Sequence, residues 1–241
     1  MKRMIFRLFI GMLSLLFLME PICGLNNKLS SPPFDKIDDM DISELEPEEI
    51  INFNDYSQKD FKEQAEDGLW STIWHRNLSY LKTSLEASST LKGYSVNNLL
   101  DKKVETTWVE GTKGDGLKEW ISIKLDADKH SPSSTPFTIH WVGIIPGYAK
   151  SQKTWEENNR VKSALLIIFS PGAPRWQYVI CRLKFKDVNG LQVFHLSNDL
   201  AAPNMDPMTK TLWLVIEDVY KGTKFADTCI SEVVVRGGCL P

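Results

Sequence analysis

The chain has 241 residues, a formal net charge of −3, 42% hydrophobic and 10% aromatic residues. With only a modest positive balance in the C-terminal region and its lysines scattered, a groove that tracks a phosphate backbone is not indicated. Beyond the N-terminal segment no apolar run reaches the roughly 18 residues of a membrane-spanning helix.

Lys2, Arg3 and Arg7 precede a 12-residue apolar run, Leu8 to Met19. This is the layout of a signal peptide, and Ile22 and Gly24 suit the −3 and −1 positions of a cleavage site after Gly24. The expectation for residues 1–24 is export: a secreted, periplasmic or cell-surface protein. Cys23 leaves a lipid anchor open, although Glu20-Pro21-Ile22 departs from the small residues that such a site favours. Leu25 to Glu66 carries 12 acidic against 4 basic residues, with Pro32-Pro33 and the run DKIDDMDISELEPEEI. It reads as an acidic, extended, solvated leader without a partner, with a spacer or partner tail as the functional alternative and a short helix near Gln58 to Glu66.

Residues 67–241 carry 18 acidic against 21 basic residues and all 8 tryptophans. That length suits one domain with a single core. Trp120 to Leu125 alternates cleanly, Phe137 to Ile145 runs into Pro146-Gly147, and Val161 to Phe169 runs into Ser170-Pro171-Gly172. Tyr178 to Lys186 and Leu191 to Leu196 flank Val188-Asn189-Gly190, which reads as a hairpin because Asn-Gly tolerates positive φ. Thr211 to Ile216 and Cys229 to Val235 supply two more strands. Short strands punctuated by Gly and Pro predict an all-β sandwich. Trp108, Trp120 and Trp141, in or beside strands, read as core.

Sugars present apolar C–H faces ringed by hydroxyls, so their sites pair an aromatic platform with polar forks. GYAKSQKTWEENNR supplies Tyr148, Trp155 and Arg160, and the Gly-rich loop EGTKGDG supplies Glu110 and Asp115, expected to be exposed. These five are the candidate glycan-binding residues. For Trp155 core packing stays open, and for Arg160 a structural pair with Glu110 or Asp115.

The motifs occur in an order that resembles a known family. Ser88-Ser89, Tyr94, Asn98-Leu99-Leu100-Asp101, Thr107-Trp108-Val109-Glu110-Gly111, Gly114-Asp115-Gly116 and Glu119-Trp120-Ile121 come first. Gly147-Tyr148, Asn158-Asn159-Arg160, Tyr220-Lys221-Gly222 and Ile230-Ser231-Glu232 follow. Together they resemble a discoidin-like domain (F5/8 type C, galactose-binding-like). The nearest branch is the glycan-binding domain of secreted bacterial NAD-glycohydrolase toxins. The resemblance covers roughly residues 86–235 and implies a jelly-roll sandwich that recognises surface glycans and helps dock or deliver a partner. It also implies a Ca²⁺ cage from Asp101, Thr106 and Glu232, because Ca²⁺ takes six to eight hard oxygens. Lys102-Lys103 departs from the small residues preferred there, and a metal-free, hydrogen-bonded turn stays open. For Asn159 and Arg160 the resemblance also leaves a loop-bracing role open.

Catalysis is not indicated. His75, His130, His140 and His195 make no metal-spaced pair, and no nucleophile elbow is present. The toxin's enzymatic activity does not carry over, because only the binding domain is matched. A glycan is the expected partner, and a protein or lipid-head-group partner is the alternative on the same fold. Cys229 and Cys239 read as a C-terminal staple or as unbridged thiols, with Cys181 buried in a strand.

Overall fold

The computed structural model describes residues 31–34, 42–52, 81–127, 137–170, 178–196 and 209–239. The expected export segment, Cys23 and the helix expected near Gln58 to Glu66 lie outside these residues. No described helix is long and apolar enough to cross a membrane.

Among the described residues twelve strands form two sheets. In chain order they are β1 (Ser43–Leu45), β2 (Glu49–Asn52), β3 (Leu81–Ala87), β4 (Trp108–Val109), β5 (Trp120–Ala127) and β6 (Phe137–Ile145). There follow β7 (Asn159–Phe169), β8 (Tyr178–Lys184), β9 (Gly190–His195), β10 (Thr209–Tyr220), β11 (Thr228–Ile230) and β12 (Glu232–Cys239). The larger sheet runs β1-β8-β7-β10-β5-β3, with β11 joining β7 to β4, and the smaller runs β12-β6-β9-β2. Among the described residues a 3-10 turn, η1 (Val96–Leu100), and a helix, α1 (Gln152–Glu157), interrupt the loops. The all-β sandwich read from the alternation is the observed architecture.

The core lies between the sheets. Ile121, Ile123 and Leu125 of β5, Leu166 and Ile168 of β7, and Leu212, Leu214 and Ile216 of β10 face Ile139, Val142 and Ile144 of β6 and Val233 of β12. Each such side chain contributes about 1.5–3 kcal/mol when fully buried. Trp108 is fully buried in this core and donates its indole N–H to the Ser89 carbonyl at 3.1 Å. β7 reads as a continuous apolar run because both its faces are covered. Its alternate residues Leu165, Ile167 and Phe169 join Ile180, Trp213 and Val215 in a buried cluster on the outer side of the larger sheet.

Four expectations are corrected. The acidic leader does not stay outside the domain. Its described part supplies β1, which pairs in parallel with β8, and β2, which pairs antiparallel with β9, so it closes one side of both sheets. Asn189-Gly190 is not a hairpin turn: β8 and β9 belong to different sheets, and neither residue has positive φ. Residues 185–189 cross the sandwich instead, held where the Gln192 side chain bonds both the amide (2.9 Å) and the carbonyl (2.7 Å) of Lys186. Cys229 is a free, buried thiol, so it makes no bridge to Cys239. Cys239 ends the 8-residue β12, which begins three residues after Cys229, and a strand rises about 3.3 Å per residue. Trp141 is not core: it is partly exposed and lies against His195 with ring centroids 4.2 Å apart.

Candidate functional site

Three long stretches meet at one end of the sandwich: 88–119 before β5, which carries β4; 146–158 before β7; and 221–231 after β10, which carries β11. The crossing 185–189 reaches the same end, where Arg160 meets Asp187. Cross-bonds brace these loops rather than leaving them independent.

Glu110 is fully buried, contrary to the exposure expected of its Gly-rich loop. Its Oε2 accepts from the Thr112 amide (2.7 Å) and hydroxyl (2.8 Å). Asp115 is partly exposed and ion-paired with Lys221, and its Oδ1 accepts from Asn159 Nδ2 at 3.1 Å. The Lys221 ammonium, then the Asn159 amide, hold the Asp115 carboxyl below the usual carboxylate range. Asn159 also donates to the Ala226 carbonyl (2.7 Å) and accepts from the Gly222 amide (2.7 Å), so one buried amide clamps two loops.

Arg160 pairs with neither Glu110 nor Asp115. Its Nε and Nη2 make a fork onto Asp187, while Nη1 reaches the carbonyls of Trp155, Asn158 and Lys221 at 3.1–3.3 Å. Trp155 is not an open platform. It is 3% exposed, packed on Ile145, Leu191 and Val234, with the Arg160 guanidinium 5.9 Å from its ring centroid. Gly147 makes room for that stack, since a Cβ there would lie 2.6 Å from Arg160 Cγ and 2.7 Å from Trp155 Cζ3.

Of the five candidates, Tyr148 alone presents an aromatic ring to solvent. It is half-buried and meets Tyr94 edge-to-face, with centroids 6.4 Å apart at 86°. Buried Ser231 fixes its loop, accepting from the Ala149 amide (3.0 Å) and donating to the Gly147 carbonyl (2.8 Å). The capping box of α1, from Ser151 and Thr154, anchors the other side. Tyr148 Oη lies 3.4 Å from the Glu105 carbonyl, which links this ring to the turn at Asp101. Sequence reading missed Tyr94 as a site residue. The signal was Gly93-Tyr94: the glycine takes φ +97° and turns an aromatic outward.

In the Asp101 turn, Thr106 Oγ1 lies 2.8–2.9 Å from both Asp101 carboxylate oxygens, and the Lys103 amide donates to Oδ1 at 2.9 Å. Lys102 takes φ +61°, the left-handed region that a small residue adopts at least cost. Glu232, at the start of β12, is 1% exposed, and its Oε2 has no hydrogen-bond partner among the described residues. Burial first and the Asp101 carboxylate second push its carboxyl up to about 9, against the pull of the Lys102 and Lys103 amides. An orphaned buried carboxylate oxygen beside a second carboxylate, a hydroxyl and the Lys103 carbonyl is a donor set that fits a hard cation such as Ca²⁺.

Residues 72–236 match the family described as the NAD glycohydrolase translocation F5/8 type C domain. No curated protein matches the chain. Among solved structures, the family 32 carbohydrate-binding module of NanJ from C. perfringens, in complex with galactose, is 13% identical. It has a TM-score of 0.43 over 64% of this chain and 92% of that one. CBM32-3 from a family 31 glycoside hydrolase of Clostridium perfringens is 13% identical, with a TM-score of 0.42 over 70% of this chain and 99% of that one. A family 89 hydrolase, CpGH89 of Clostridium perfringens, is 13% identical with a TM-score of 0.41, and 66% of this chain covers 14% of that chain.

Proposed function

The chain belongs to the NAD glycohydrolase translocation F5/8 type C domain family, and from that premise we propose that it is an exported, non-catalytic glycan-binding module. The observation that carries this reading is the Tyr94–Tyr148 corner, two half-buried rings set edge-to-face on braced loops. Such a corner offers an apolar wall to a pyranose face while its hydroxyls and the neighbouring backbone offer polar partners. Glu110, Trp155 and Arg160 act as the braces that hold the corner, since their polar groups are spent on the protein itself. Asp115 stays a binding candidate at the rim.

Asp101, Thr106 and Glu232 would hold a Ca²⁺ ion in this reading. The ion would neutralise two adjacent carboxylates and stiffen the turn that meets Tyr148 through Glu105.

The test is the full chain on a glycan array, with and without Ca²⁺, beside Tyr148→Ala and Tyr94→Ala. Selective binding lost in both folded variants is expected. A blank array from folded wild-type protein overturns the reading.

A second reading, a protein or lipid-head-group surface, is favoured by Leu117 (52% exposed) and Phe225 (41% exposed) near this end. Lys118, Lys221 and Lys224 flank them. Vesicles or pull-downs that retain the wild type but not Leu117→Ser/Phe225→Ser would favour it.

A further inference from the structure

We propose that the side of the sandwich formed by β8 and β9 is a docking site for an acidic, extended polypeptide strand. Residues 42–52 occupy that site as a tethered stand-in. They precede residue 72, the first that matches the family, yet they extend both sheets. The acceptor edge therefore belongs to the domain, and its occupant comes from outside the matched residues.

Charge complementarity names the occupant. The acceptor presents Arg182, Lys184, Lys186 and His195. Glu44 lies 3.3 Å from both Arg182 and Lys184, Glu46 pairs with Lys186, and Glu48 Oε1 lies 3.5 Å from His195 Nδ1. Apolar anchoring is slight: Leu45 packs on the inner core and Ile51 on the outer side of the smaller sheet, both only partly buried. Ser43, Glu44, Glu46, Glu48, Glu49 and Ile50 are exposed. Backbone ladders supply the rest, three residue pairs on β8 and four on β9. Main-chain bonds for affinity with side-chain pairs for selectivity is the pattern of strand addition.

Gly190 shows that the acceptor is shaped for a strand. A Cβ at Gly190 would sit 2.2 Å from the Ile51 carbonyl oxygen and 3.0 Å from Asn52 Cα. Its φ is not in the left-handed region, so its own backbone does not require glycine. Only the approaching strand does.

Between Asn52 and Leu81 lie 28 residues, 53–80. Because the stand-in belongs to the same chain, its pairing is an intramolecular event. A free strand must compete with the stand-in, so the site shows itself when the stand-in is disabled.

The experiment uses the full chain carrying Glu44→Lys, Glu46→Lys and Ile51→Asp, which disable the stand-in and leave the acceptor intact. The probe is a fluorescent peptide with the sequence of residues 42–52. Saturable binding at least tenfold tighter than to wild type is expected, and Gly190→Ala in the same chain should abolish it. Equal binding of a scrambled peptide, or none by the folded triple variant, overturns the proposal. Should the triple variant not fold, hydrogen exchange on wild type decides. Amides of 43–52 are expected to exchange at least tenfold faster when salt rises from about 0.1 M to about 1 M, where screening shortens from about 10 to about 3 Å, while β7 and β10 stay protected. Salt-independent protection of the strap overturns the proposal.

Discussion

Arg160 and Asp187 form a two-pronged ion pair, Nε to Oδ1 at 2.8 Å and Nη2 to Oδ2 at 2.7 Å, that ties the start of β7 to the crossing between the sheets. Arg160 Nη1 also satisfies three loop carbonyls, so one guanidinium joins β7, the 146–158 loop and the turn after β10. Arg160→Ala should lower stability by about 2 kcal/mol. This is less than the about 3–5 kcal/mol of a fully buried pair, because the Asp187 side chain is 40% exposed. Arg160→Lys should fall between, keeping charge but losing the fork. Denaturant titration gives the stabilities. Glycan affinity of the folded fraction should stay within about twofold of wild type, and a loss above tenfold, worth about 1.4 kcal/mol, would mean that Arg160 touches ligand.

Tyr148→Ala and Tyr94→Ala address the corner itself. Each should weaken glycan binding about tenfold or more, matching the roughly 0.5–1.5 kcal/mol of an aromatic contact plus lost apolar area. Both rings are half-buried, so thermal stability should fall only modestly. Calorimetric titration of the best array ligand reads the affinity. Full affinity in both variants would move the site elsewhere on the loop end.

Most of the fold was legible because strands covered on one face alternate, and those covered on both faces run apolar. Trp120 to Leu125, Phe137 to Ile145 and Val161 to Phe169 all lie within observed strands. β1 and β2 were not legible. Glu44, Glu46, Glu48 and Glu49 look like a solvated leader until Arg182, Lys184 and Lys186 are placed opposite them by a fold the local sequence does not contain. Gly190 misled for a related reason: its glycine answers to the Ile51 backbone, a contact distant in sequence, and not to the Asn-Gly turn. Residue chemistry suggested Glu110, Trp155 and Arg160 as ligand contacts; their burial was not legible, because polar and aromatic groups that hold loops together have the same composition as those that hold sugars.

Glu232 gives the pH prediction. Its carboxyl is pushed up to about 9 in the folded protein from a usual 4.5, burial being the larger cause. The folded state therefore holds a proton that the unfolded state has lost. This contribution to stability is full below the unfolded value and is lost as pH rises through the folded one. Without Ca²⁺ the melting temperature should decline from about pH 5 to about pH 9, and Glu232→Gln should flatten that decline. Ca²⁺ needs the ionised carboxylate, so protons compete with it and the rise in melting temperature on adding Ca²⁺ should be larger at pH 8 than at pH 6. Melting curves with Ca²⁺ or a chelator across pH check both. No Ca²⁺ effect at any pH would leave Glu232 as a buried carboxyl without a metal.

Glu110 and Gly116 make the last prediction. Gly116 takes φ +66°, and a Cβ there would stand 2.6 Å from Glu110 Cγ. Gly116→Ala meets two penalties at once: the left-handed backbone, about 1–2 kcal/mol for an L residue, and a collision with a side chain that cannot withdraw because Thr112 and Thr228 hold its carboxylate. Glu110→Gln keeps the shape but weakens the charged hydrogen bonds, each worth about 1.5–3 kcal/mol. Both variants should melt below wild type, Gly116→Ala by more, and any glycan affinity lost should return when excess ligand restores the folded population. Loss of affinity in a fully folded Glu110→Gln would put that carboxylate back among the ligand contacts.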